Sequence, residues 1–151
     1  MAQIGTAAPP NPGAASARSG LGLASLGELL YAAGGCCDSN LDVVATAFSF
    51  SPGSNAWAPV GSMTTPRRGL GLASLGGYLY AAGGCADIPV GYNNVLASAE
   101  RFDPNAGSAG AWAPVGSMTT PRANVGLASL GGYLYAAGGM DHNGNTLASV
   151  E

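Results

Sequence analysis

Lysine is absent from this 151-residue chain, and charge of either sign is scarce. Ionisable Asp, Glu and Arg make up 9 % of the residues, against about 25 % in an ordinary soluble domain. Five arginines against eight acids leave a formal net charge of −3. That balance excludes attachment to a nucleic-acid backbone, which needs a concentrated basic patch. Cysteine is limited to Cys36, Cys37 and Cys85. An odd number cannot all be bridged, and a disulfide between the neighbours Cys36 and Cys37 would be strained. No apolar run approaches the roughly 20 residues of a membrane-spanning helix. Met1 to Gly20 has neither the basic start nor the apolar stretch of a secretory signal, and no Asn-x-Ser/Thr acceptor occurs anywhere. A reducing compartment is therefore expected, cytoplasmic, with no membrane and no nucleic acid as partner.

What the chain has in abundance is small and repeated. Gly accounts for 25 positions and Ala for 28. The segment Arg18 to Gly35, ending Leu-Tyr-Ala-Ala-Gly-Gly, returns as Arg67 to Gly84 and again as Arg122 to Gly139. A second block, Ala56 to Arg67, recurs as Ala111 to Arg122 and carries Trp57 and Trp112. Gly34, Gly83 and Gly138 are spaced by 49 and then 55 residues. Each copy reads as four short strands. Leu21–Leu26 and Leu29–Ala33 flank a Gly-containing turn, a hairpin signal. The third strand is clearest as Leu96–Phe102, stopping at the turn dipeptide Asp103-Pro104, and the fourth is Ala111–Val115. No segment has the 3.6-residue apolar spacing of an amphipathic helix, so the expected class is all-β.

A period near 50 residues with four strands per unit points to a propeller blade. In its glycine pairs Gly34-Gly35, Gly83-Gly84 and Gly138-Gly139, each preceded by Tyr31, Tyr80 or Tyr135, and in Trp57 and Trp112 ahead of Pro-Arg, the chain resembles the kelch-repeat family. The resemblance runs from Arg18 to the last residue and implies a partial β-propeller of about three four-stranded blades, each an antiparallel meander. The expected division is an N-terminal segment 1–18, a first repeat 19–67, a second 68–122 and a partial third 123–151. The first copy departs from the pattern, with Phe48 and Ser51 where Glu100 and Asp103 stand. Paired glycines allow positive φ and close backbone approach, and the tryptophans would supply apolar surface between blades.

Two blades and part of a third fall short of the usual four to eight. Ala7-Ala8-Pro9-Pro10 aligns with Ala56-Trp57-Ala58-Pro59 as a degenerate fourth strand, so three blades per chain and a homodimer completing a six-bladed ring are one expectation. The alternatives are a structural, self-associating half-propeller or a fragment of a longer kelch protein with no independent function.

In a meander, the loops between the second and third strands of a blade share one end with the segments that cross to the next blade. That end gathers the variable loops Cys36–Asp42, Cys85–Asn94 and Met140–Thr146, and binding usually lives on such loops. The candidate ligand-binding residues are Asp87, Tyr92, Asn93, Asn94 and His142 from the loops, with Arg67, Arg68 and Arg122 from the crossings. Arginines repeated around a propeller mouth could clamp carboxylates, and the resemblance to Kelch-like adaptors implies acidic peptide motifs as their targets. The opposing reading pairs each arginine with its own blade, for instance with Glu100.

Other chemistry finds little support. The recurring Gly-Leu-Gly-Leu-Ala-Ser string lacks the following helix of a phosphate loop. One histidine, His142, and three cysteines show no metal-ligand spacing, so no metal or cofactor is expected. No carboxylate pair or nucleophile–base set recurs. Some kelch propellers are copper-dependent sugar oxidases or sialic-acid epimerases, but this chain cannot assemble the histidine and tyrosine copper site of the former. The expectation is a non-catalytic module that binds a protein segment. The family resemblance extends this to substrate recognition for a cullin-type ubiquitin ligase, or to cytoskeletal binding.

Overall fold

Three times the chain lays down Gly-Leu-Ala-Ser-Leu, turns on glycine, and returns along Leu or Tyr-Leu-Tyr-Ala-Ala. The computed structural model, which describes residues 17–37, 42–86 and 93–151, forms an antiparallel hairpin from each copy. The first unit runs β1 (Arg18–Ser19), β2 (Gly22–Leu26), β3 (Leu29–Ala33), β4 (Cys36–Cys37), β5 (Asp42–Val43), β6 (Ala47–Ser51) and β7 (Ala56–Val60). Strands β2-β3-β6-β7 make a four-stranded meander, blade 1, while β1-β4-β5 make a small separate ladder at its loop end. The second unit repeats the blade with β8 (Gly71–Leu75), β9 (Tyr78–Ala82), β10 (Ala99–Asp103) and β11 (Ala111–Val115). Blade 3 has β12 (Gly126–Leu130) and β13 (Tyr133–Ala137), with Val150 and Glu151 beginning a third strand against Ala137 and Ala136. No helix occurs among the described residues, and none is long and apolar enough to cross a membrane.

The third strand of the second copy starts at Ala99 rather than at the expected Leu96. Residues 96–98 spend their backbone groups elsewhere: Leu96 N–H donates to Gly84, Met118 N–H donates to Ala97, and Gly83 N–H donates to Ser98. These three residues bind the glycine pair and the crossing segment, so they cannot pair with β9.

The inner strands β2, β8 and β12 lie side by side, one per blade. Glycine at the heads of β2 and β8 makes this possible: a Cβ on Gly22 would sit 2.7 Å from the Cβ of Leu72. Between blades 1 and 2, Tyr31, Ala33 and Met63 pack against Leu72, Leu79, Phe102 and Trp112. Tyr31 and Phe102 have ring centroids 5.8 Å apart, Phe102 and Trp112 5.2 Å, the tilted arrangement aromatic quadrupoles favour. The Trp112 indole donates to Gly61 O at 2.8 Å, which satisfies its one polar group.

Of the two tryptophans expected between blades, Trp112 lies between two described blades, while Trp57 is half-buried on the outer side of blade 1 with its ring centroid 5.2 Å from that of Phe50. The possible strand at residues 7–10 lies outside the described residues. A cavity of about 420 Å³ lies between blades 2 and 3, lined by Tyr80, Val115, Gly116, Met118, Leu134 and Glu151 among others. Gly116 and Met118 correspond to the Gly61 and Met63 that receive the aromatic pair in the preceding seam.

Gly83 has φ +66°, and a Cβ there would fall on the backbone carbonyl of Arg122, whereas Gly76 has φ +60° with nothing near its missing Cβ. Left-handed backbone costs an L-residue about 1–2 kcal/mol. Gly76→Ala should lose about that much in urea unfolding, and Gly83→Ala clearly more; equal losses would show that the seam yields to the added methyl.

Candidate functional site

The crossing segments carry arginine and the third strands carry glutamate, and in blades 2 and 3 the two meet. Arg67 donates through Nη1 to Gly83 O and Ser98 O, both at 2.9 Å. Its Nη2 reaches Ser98 Oγ at 2.9 Å and Glu100 Oε1 at 3.2 Å. Glu100 also accepts from the backbone N–H groups of Thr64 at 2.6 Å and Thr65 at 3.0 Å. Both side chains are buried, at 0 % and 2 % exposure. Burial opposes ionisation of Glu100, but the Thr64 and Arg67 hydrogen bonds outweigh it and hold the carboxyl below its ordinary range.

Blade 3 repeats the device atom for atom. Arg122 binds Gly138 O, Ser149 O, Ser149 Oγ and Glu151, and Glu151 accepts from Thr119 and Thr120. Hydrogen bonds from the hydroxyl and backbone N–H of Thr119, aided by Thr120 and Arg122, pull the Glu151 carboxyl down to about 2.

In blade 1, Arg18 keeps the carbonyl contacts, to Gly34 at 3.1 Å and Thr46 at 3.3 Å. With Phe48 in the glutamate position, its guanidinium lies 5.1 Å over that ring instead, and its buried Nε has no acceptor.

This placement corrects the carboxylate clamp expected of Arg67 and Arg122. Both are fully buried, with their donors spent inside the blade, and neither reaches the surface. The opposing reading, in which the arginine pairs with Glu100, describes the geometry. What sequence reasoning missed was the matching lock at Glu151 and the threonine donors. Their signal was present in the recurrence of Thr-Thr-Pro-Arg and of Ala-Ser-x-Glu.

The remaining candidates gather at one end of the blades. Arg68 pairs with Cys85 through both backbone bonds, and Cys85 bridges on to Val95. Ala123, Met140 and Thr146 form the same rung in blade 3, as β1, β4 and β5 do in blade 1. Cys36, Cys85 and Met140 thus share one structural position, two of them buried. From these rungs rise the second-to-third-strand loops. Arg68 is half-buried, while Asn93, Asn94 and His142 are exposed; Asp87 and Tyr92 lie outside the described residues. His142 sits in a tight turn held by Asp141, whose Oδ1 accepts from Asn143 N and Asn145 N and whose Oδ2 accepts from Asn145 Nδ2. The Asn145 bonds chiefly hold the Asp141 carboxyl below its usual range. Among the described residues no cluster of three His, Cys, Asp or Glu side chains could hold a metal ion.

A model of the kelch motif matches residues 17–64, 66–119 and 121–151. Among solved structures the chain is similar to YjhT, with a TM-score of 0.73 and 15 % identity over 89 % of this chain and 42 % of that one. The chain therefore spans less than half the length of YjhT, and the likeness concerns the fold. Comparison with curated protein sequences finds no match.

Removing one member of a buried ion pair strands the other charge, at a cost of about 3–5 kcal/mol. Glu100→Gln should lower urea-unfolding stability by about that amount; a loss below 1 kcal/mol would overturn the buried lock. Both locks also set an acid limit. Carboxyls depressed by folding stabilise fully above their ordinary value near 4.5, and that stability is lost as pH falls through their lowered folded values, about 2 for Glu151. The thermal midpoint should hold from pH 7 to 5 and drop below pH 4.5. Glu151→Gln should flatten part of that drop.

Proposed function

The chain belongs to the kelch-repeat family, and from that premise we propose that it is a non-catalytic module that binds a protein segment at the loop end of its blades. The observation that carries this reading is the set of backbone rungs at the loop end of each blade. They fix Arg68, the Asn93-Asn94 turn and the His142 turn to one end of a rigid antiparallel scaffold. Polar, variable loops on rigid strands supply adaptable hydrogen bonding at low ordering cost. With Arg67 and Arg122 inside the blades, the face is polar rather than strongly cationic, so Arg68 is its crossing-segment charge. Asp87 and Tyr92 belong to the same proposed surface by sequence. The partner is a protein of the compartment that keeps thiols reduced, the cytoplasm. Substrate recognition of the Kelch-like ubiquitin-ligase kind is one use such a face would serve. A homodimer completing a six-bladed ring would carry two copies of it.

Selection from a displayed library of random peptides, followed by calorimetry on the enriched sequences, tests the proposal. Arg68→Glu and the pair Asn93→Ala with Asn94→Ala should each weaken binding by tenfold or more, about 1.4 kcal/mol. Glu28→Gln and Asn105→Ala, in turns at the opposite end, should leave it unchanged. Peptides that bind all four variants alike, or a library that yields none, would overturn the loop-end reading.

A further inference from the structure

Asn143-Gly144 is the chain's one Asn-Gly pair, and it lies exposed in the turn that carries His142. Every other asparagine is followed by a residue whose Cβ obstructs approach to the side-chain amide; glycine has none. The reaction open to such a pair needs no enzyme. The Gly144 backbone nitrogen gives up its proton and attacks Asn143 Cγ, the side-chain amide leaves as ammonia, and a cyclic imide closes. Water then adds to either imide carbonyl and breaks its bond to nitrogen, giving aspartate or a β-linked isoaspartate.

The same turn occurs twice, which isolates the contribution of that glycine. Asp103 Oδ1 accepts from Asn105 N at 2.9 Å, and Asp103 O accepts from Ala106 N at 3.3 Å. Asp141 Oδ1 accepts from Asn143 N at 2.8 Å, and Asp141 O accepts from Gly144 N at 3.1 Å. Asn105 and Asn143 are both exposed. After the asparagine the two turns differ: Ala106 brings a methyl group, whereas Gly144 brings none and has φ +78°.

Asp141 holds its turn more firmly than Asp103 does. Its Oδ1 accepts a second N–H, from Asn145 at 2.9 Å, and its Oδ2 accepts from Asn145 Nδ2 at 3.1 Å. Asp141 N also donates to Asn145 O at 3.0 Å. For Gly144 N to attack Asn143 Cγ, its bond to Asp141 O must break and the peptide between Asn143 and Gly144 must rotate. A backbone tied to Asp141 on both sides resists that rotation. The attack therefore waits on a local opening, and each bond that closes the turn makes the open form rarer.

We propose that Asn143 is a site of spontaneous deamidation and that the Asp141 side chain sets its rate. Asp141 is a positioning residue, acting through the turn that it closes. The product remakes this part of the loop end in two ways. It adds a carboxylate two residues from that of Asp141. In its isoaspartate form it also lengthens the main chain by a methylene, inside a turn closed by the Asp141–Asn145 bonds and the Met140–Thr146 rung. No step returns the amide, so the change runs one way. This inference is independent of the loop-end binding reading and survives its failure.

Peptide mapping by mass spectrometry reads the outcome, on the full chain held in warm, mildly alkaline buffer. An isoaspartyl methyltransferase counts the β-linked product. Asn143 should show the mass gain of NH2 replaced by OH, divided between aspartate and isoaspartate, while Asn105 keeps its amide. Asp141→Ala should convert about tenfold faster than the parent, the order expected when several hydrogen bonds no longer oppose opening. Asp141→Asn keeps an acceptor for the Asn143 and Asn145 N–H groups and should stay close to the parent rate. A circular dichroism spectrum matching the parent's confines each comparison to the turn. Equal conversion at Asn105 and Asn143 would overturn the site. An Asp141→Ala rate no faster than the parent's would overturn the role of Asp141, and no conversion in any variant would overturn both.

Discussion

A four-stranded antiparallel blade cannot bury its own sides. Its strands are five residues long, its side chains alternate between two faces, and each face can be dried only by a neighbouring blade. The rest of this structure follows from that need. Glycine heads the inner strands so that they can approach, alanine lines the middle of each sheet, and the few large aromatics stand where two blades meet. Where a neighbour is present, as between blades 1 and 2, Leu79, Phe102 and Trp112 are buried. On the outer side of blade 1 their counterparts Leu30, Phe50 and Trp57 are only half-buried, and between blades 2 and 3 lies a cavity of about 420 Å³.

The polar counterpart of the seam is the arginine–glutamate lock. A segment that crosses from one blade to the next must leave the sheet hydrogen-bond ladder, and its backbone groups need partners in a nearly dry place. Glu100 takes the N–H groups of Thr64 and Thr65, while Arg67 takes the carbonyls of Gly83 and Ser98. The ion pair between them lets each stay charged while doing so. In so sparsely charged a chain, two of five arginines and two of eight acids are committed to this internal task. That commitment leaves Arg68 as the crossing-segment arginine nearest the loop end that is not locked inside a blade.

The repeated period, the glycine-turned hairpins and the absence of helical spacing made the blade legible from residues alone, and the kelch match over residues 17–64, 66–119 and 121–151 agrees. The boundary of the third strand was less legible. The apolar run from Leu96 looks like strand, yet residues 96–98 pair with the crossing segment, a long-range competition that local pattern cannot register. Burial was the other blind spot. Arg67, Arg68 and Arg122 look alike in sequence, but the crossing places Arg67 and Arg122 fully inside and leaves Arg68 half-buried.

By itself the sequence determined the repeat, the strand content and the glycine positions, because period-two alternation and left-handed turns are local properties that each copy states independently. Only the tertiary structure decided which arginines are buried in the blades and which side chains are sealed in the seam between blades 1 and 2. Those outcomes depend on whether a neighbouring blade is present to exclude water, and no stretch of chain encodes its neighbour.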